Sequence, residues 1–250
     1  MSRVALSFQS VVKDYEYSHL GRLTKTRALD GLTLVVEEGK VFGILGLNGA
    51  GKTTAMKLAL GLLRPTSGMV SVFGHAPGSH EALGKIGYLP ELPYFYTYLS
   101  PLEALSFYGS LSGLSAELVA ERAPKALASV GLSHAAERKA KGFSKGMLQR
   151  LGLAQAILHE PKLIVLDEPV SGLDPLAVHD VRELIHKLNE EQGRSFLMSS
   201  HSISNVENLC HGVGIIAGGK LVKAVERADW AGEKGSLEKI FVAAVRPEQA

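Results

Sequence analysis

The sequence predicts an α/β protein: a mainly parallel sheet, a smaller N-terminal antiparallel β-subdomain and a helical insertion subdomain. Three observations predict it. The runs VFGILG (41–46) and LIVLDEP (163–169) are apolar, as strands buried on both faces are, and SFLMSS (195–200) and GVGIIAG (212–218) look similar. Helical patterns separate several of them, and strands alternating with helices imply parallel pairing. The N-terminal runs ALSFQSVV, GLTLVVEE and MVSVFG instead carry turn signals between them, which suits an antiparallel sheet.

The remaining elements follow in order. YEYSHLGRLTKTRALDG carries His19, Arg22, Lys25 and Arg27 and reads as a solvated loop. Residues 53–63, TTAMKLALGLL, read as a helix that ends near Pro65. The stretch from about 100 to 140 is helix-rich, with Ser100 and Pro101 suited to a cap and a first turn. Residues 176–192 read as a helix with Val178, Val181, Leu184, Ile185 and Leu188 on one face. A short terminal helix is expected around Leu237–Val245. The expected organisation is one domain over 1–250. Residues 1–92 and 143–222 form its core, 93–142 the helical insertion and 223–250 a tail.

Composition excludes some classes. With 250 residues, 46% hydrophobic and 21% charged, the chain can bury a sizeable core and is not a disordered one. A net charge of +2 demands no nucleic acid. The single cysteine, Cys210, rules out an intrachain disulfide, fits a reducing compartment and reads as a small buried hydrophobe. No apolar run approaches the roughly 20 residues that cross a bilayer, and MSRVALSFQS lacks a signal peptide's apolar stretch. The expected location is the cytoplasm, with any membrane role exerted through a partner.

Gly46-Leu47-Asn48-Gly49-Ala50-Gly51-Lys52-Thr53 matches the pattern of a phosphate-binding loop, between a strand and a helix as that pattern requires. Its glycines let several N–H groups turn toward one anion, and the helix N-terminus adds partial positive charge. Lys52 would reach the β- and γ-phosphates, Thr53 would bind Mg²⁺, and Thr54 would lie near the α-phosphate. This is the hallmark of a P-loop NTPase core. LIVLDEP puts two carboxylates at the carboxyl end of a buried strand, where ligands bind in open α/β sheets. Asp167 would hold the metal, directly or through water, and Glu168 would polarise the attacking water as general base.

These residues resemble an ABC-type ATPase over about 1–222. FSKGM (143–147) resembles that family's signature, LSGGQ, departing at Phe143, Lys145 and Met147 and keeping Ser144 and Gly146. The resemblance implies that Ser144 and Gly146 meet the nucleotide held by the other subunit of a head-to-tail dimer. Ser171-Gly172-Leu173-Asp174-Pro175 resembles the loop that links the two sites. His201 resembles the switch histidine at the γ-phosphate. Glu91, in IGYLPELP, takes the position where glutamine is commonest, at the metal or its water shell. Tyr15 resembles the aromatic that stacks on adenine, with Tyr17 as competitor.

The family implies ATP and Mg²⁺ as cofactors and two function classes. One is ATP hydrolysis powering a transmembrane permease from the inner face of the membrane, as a homodimer or as a heterodimer with a related ATPase. The other is a soluble ATPase driving a cytosolic assembly such as an iron–sulfur scaffold. FSKGM, YLPE and LSPLEALSFYGSLSGLS are similar to ABC-2-type exporter ATPases. The aromatic run 93–98 suits either a groove for a permease helix or plain core packing.

Overall fold

The computed structural model describes residues 3–19, 22–232 and 236–246. Its elements in chain order are β1 (Val4–His19), β2 (Arg22–Glu37), β3 (Val41–Leu45), α1 (Lys52–Ala59), β4 (Ser67–Val72), α2 (His80–Leu83), β5 (Ile86–Leu89), α3 (Pro101–Leu111), α4 (Ala116–Ser129), α5 (Lys145–Ile157), β6 (Leu163–Asp167), α6 (Pro175–Glu190), β7 (Ser195–Ser200), α7 (Ile203–Leu209), β8 (Gly212–Ala217), β9 (Lys220–Glu226) and α8 (Ser236–Val245). They form two compact units, Met1–Leu83 with Ser195–Ala250, and Gly84–Arg194.

In the first unit β2, β1 and β4 make the expected antiparallel sheet, with Phe8 opposite both Leu34 and Val70. Strands β7, β3, β8 and β9 lie side by side in that order; β3 runs parallel to β7 and β8, and β9 runs antiparallel to β8. Lying inside this row, β3 is buried along its whole length. A Cβ on Gly43 would stand 2.9 Å from both Cys210 Sγ and Val206 Cγ1, so the glycine lets the segment around α7 lie close against β3. Cys210 is fully buried, and burial pushes its thiol up, so it packs as a small hydrophobe.

In the second unit β5 and β6 pair in parallel and α5 lies on β5. Helix α3 begins with a capping box: Ser100 accepts from the Glu103 N–H, Glu103 accepts from the Ser100 N–H, and Pro101 fills the first turn. Asp174 caps α6, and Val181, Leu184, Ile185 and Leu188 form its buried face, with Val178 half-buried. Each such aliphatic side chain stabilises the fold by about 1.5–3 kcal/mol.

Three expectations need correction. The helix over 53–63 stops at Ala59, because Gly61 adopts φ +73 and closes it. The Gly61 N–H donates to the Leu58 carbonyl and the Leu62 N–H to that of Lys57, a Schellman pair. The strand over 163–169 stops at Asp167, and Glu168 turns away at φ +48. The segment read as a loop is paired: β1 and β2 continue side by side, antiparallel, to His19 and Arg22, and residues 24–27 are exposed. Opposite charges face each other across it, Asp14 opposite Arg27 and Glu16 opposite Lys25. The Asp14 side chain, 4% exposed, meets Arg27 at 2.9 Å and Lys25 at 3.1 Å. Arg27 also reaches Asp30 at 2.9 Å, and Lys220 reaches Asp30 at 3.2 Å.

Candidate functional site

In the first unit, Gly46 continues from β3 and His201 from β7. These strands are parallel neighbours with Leu45 opposite Ser200, so the phosphate loop and the histidine leave one edge of the sheet. The loop's conformation depends on glycine. Gly49 and Gly51 have φ of +80 and +110, and a Cβ on Gly51 would stand 2.6 Å from the Ala28 carbonyl oxygen. Gly51 is the residue from which α1 starts. Lys52 is 8% exposed, and its ammonium donates to the Gly46 carbonyl at 2.8 Å and the Leu47 carbonyl at 3.3 Å. The loop thus curls around its own cation.

The Ala50 carbonyl accepts from the Gly219 N–H at 3.1 Å, and the Gly219 carbonyl accepts from the Asp30 N–H at 2.9 Å. Asn48, Gly49 and Thr53 are exposed, and Thr54 is half-buried. The Tyr15 hydroxyl lies 3.3 Å from Thr54 Oγ1, and the Lys13 ammonium stands 5.5 Å from the Tyr15 ring centre. The side chain of Tyr17, the competing aromatic, lies outside the described residues.

In the second unit, Asp167 ends β6 and is 6% exposed. Burial first, then the negative charge of Asp167, holds the Tyr88 phenol above its ordinary range. Glu91 is exposed two residues beyond β5, and β5 pairs with β6 with Leu89 opposite Leu166. Glu91 and the Asp167–Glu168 pair therefore lie at the carboxyl ends of adjacent strands. Ser144 caps α5, its Oγ accepting from the Met147 N–H at 3.3 Å. The neighbouring turn 171–175 lies close: a Cβ on Gly146 would meet Leu173 at 3.6 Å, and one on Gly172 would meet the Lys145 ammonium at 2.6 Å. The Arg138 guanidinium stacks over the Phe143 ring at 5.2 Å.

A residue with no role in the motifs above stands beside the segment that leads from β6 into this turn. Gln149, 1% exposed on α5, donates from Nε2 to the Pro169 carbonyl at 3.1 Å. Its only signal in the sequence is an amide in line with Gly152 and Ala156 on one helix face.

A glycine-rich loop between a parallel strand and a helix, in a chain with an acidic strand end, defines a P-loop nucleoside triphosphatase. Residues 29–171 match the ABC transporter family. The ABC transporter ATP-binding protein sll0415 of Synechocystis sp. is 38% identical over 242 residues, 93% of this chain and 67% of that protein. The bacitracin transport ATP-binding protein BcrA of Bacillus licheniformis is 40% identical over 201 residues, 80% of this chain and 65% of that protein. A solved ATP-binding subunit of an ABC transporter superposes with a TM-score of 0.80 at 29% identity, covering 96% of this chain and 99% of that one. The chain belongs to the ABC transporter ATP-binding family. It spans about two thirds of the length of these two relatives.

Proposed function

We infer that the protein binds and hydrolyses ATP as the nucleotide-binding subunit of a membrane transporter, with export as the direction. The curled loop around Lys52 carries this reading. A buried ammonium satisfied by its own loop carbonyls, at the start of a helix, is poised to exchange them for the β- and γ-phosphates. Asn48, Gly49, Ala50 and Gly51 would offer backbone N–H groups, Thr54 would sit near the α-phosphate, and Tyr15 would stack on adenine. His201 would contact the γ-phosphate. Glu168 would take a proton from the attacking water as general base.

Thr53, Asp167 and Glu91 are hard oxygen donors of the kind Mg²⁺ takes. Among the described residues no three or more His, Cys, Asp or Glu side chains gather as a metal cage, so phosphate and water oxygens would complete the shell. The ion would neutralise charge on the β- and γ-phosphates.

Ser144 and Gly146 would bind the nucleotide of a second copy, or of a related ATPase, in a head-to-tail pair. Closure is then a population shift, because ATP touches both halves only in the closed form. The name of BcrA, a bacitracin transport protein, supports a transport role. Resemblance of the FSKGM segment to exporter ATPases supports the direction. No helix among the described residues is long and apolar enough to cross a membrane. A permease would hold the protein at the inner face of the membrane. Phe95 is buried, whereas Tyr94, Tyr96 and Tyr98 are exposed, with the Tyr96 ring 5.8 Å from that of Phe107 and 5.5 Å from that of Tyr98, a surface suited to a permease's cytoplasmic segment. The cargo would be selected by that permease.

Lys52→Ala should abolish tight triphosphate binding in calorimetry. Glu168→Gln should bind ATP, stop hydrolysing it and accumulate as a dimer in light scattering. Unchanged affinity in the first variant, or wild-type turnover in the second, would overturn the reading.

A further inference from the structure

The turn after β6 is held in an unfavourable shape. Glu168 has φ +48, where a side chain crowds its own backbone, and it precedes a proline, which drives its neighbour toward extended conformations. Such a residue persists only where its surroundings over-determine it. Two hydrogen bonds clamp the turn: the Ser171 N–H donates to the Glu168 carbonyl at 3.1 Å, and Gln149 Nε2 donates to the Pro169 carbonyl at 3.1 Å.

Gln149 is itself fixed in place. Gly152, nearly one turn further along α5, approaches β5 so closely that a Cβ there would stand 2.6 Å from Leu89 Cδ1. A Cβ on Gly87 would stand 2.0 Å from the Ala156 carbonyl oxygen. The helix therefore lies directly on β5, the strand paired with β6. A carbonyl only accepts, so the amide end facing Pro169 is the NH₂ group. The other end, Oε1, is buried with no hydrogen-bond partner among the described residues. Packing alone does not call for an amide here, since methionine fills the same space without an orphaned polar atom.

We propose that Gln149 is a positioning residue for Glu168: its amide pins the Pro169 carbonyl and keeps the turn in the left-handed form that presents the carboxylate to the attacking water. This rests on Glu168 being the general base. Gln149→Met should lower kcat for ATP hydrolysis by about 10–100-fold, the usual effect of losing a residue that orients a catalytic group. The Kd for ATP, by calorimetry, should stay within about twofold of wild type, because the phosphate contacts are untouched. Leu153→Ala, a buried position on the same helix, supplies the control: it should lower Tm and leave kcat near wild type. Gln149→Asn, which keeps the amide but shortens its reach, should show the same split and serves if the methionine variant does not fold. Wild-type kcat in either folded variant, a parallel rise in Kd, or an equal kcat loss in Leu153→Ala would overturn the proposal. Wild-type turnover in Glu168→Gln would instead overturn the base assignment. An inactive Glu168→Gln beside a fully active Gln149→Met would sink the positioning role alone.

Discussion

A tyrosine beside a phosphate loop has a hydroxyl and a ring face, and substitutions can separate their uses. The hydroxyl of Tyr15 meets Thr54 at 3.3 Å, while the ring would stack on the base. Tyr15→Ala should weaken ATP binding by the roughly 1–3 kcal/mol that base stacking contributes, with the affinity for inorganic tripolyphosphate unchanged. Tyr15→Phe should stay close to wild type for both ligands. Calorimetry with the two ligands decides: an equal loss for both would mean that Tyr15 shapes the loop rather than reads the base. The sequence left Tyr15 and Tyr17 both open because the segment joining them to ALDG holds more residues than the family resemblance implies, and read as a loop it fixes no register for either ring. Gln149 was illegible for another reason. Its partner is a backbone carbonyl, which no residue pattern reports.

At the scale of elements, the long pairing of β1 and β2 is the clearest departure from expectation. Its cross-strand pairs, Asp14 with Arg27 and Glu16 with Lys25, are visible only once the register is known; one strand read alone is merely polar. The hydrogen bond from Arg27, joined by Lys25, holds the Asp14 carboxyl below its ordinary value of 3.8. A carboxylate lowered in the folded state stabilises the fold above its ordinary value, and that contribution is lost as pH falls through the lowered one. Asp14→Asn should therefore destabilise the protein at neutral pH, with the gap to wild type closing on acidification below the usual carboxylate range of about 4. Denaturant titrations followed by circular dichroism at several pH values measure it. A gap independent of pH would assign the loss to packing instead. The end of α1 shows the converse case: Gly61 stood in the sequence as a stop signal, and only its left-handed φ reveals that it outranks Pro65.

At the scale of the molecule, the strands and the class were legible because runs such as VFGIL and LIVLD are buried on both faces. Their order was not. Strand β3 sits between β7 and β8, which arrive some 150 residues later, and an apolar run does not name its neighbour. The same non-local wiring couples distant backbone amides to the phosphate loop. Because the Ala50 carbonyl holds the Gly219 N–H, and the Gly219 carbonyl holds the Asp30 N–H, the loop is the first link of a short relay ending on β2. A nucleotide that stiffens the loop should slow deuterium uptake at Gly219 and Asp30, amides that need not touch it. Protection at Lys52 without protection at those two would mean that the loop rigidifies in isolation.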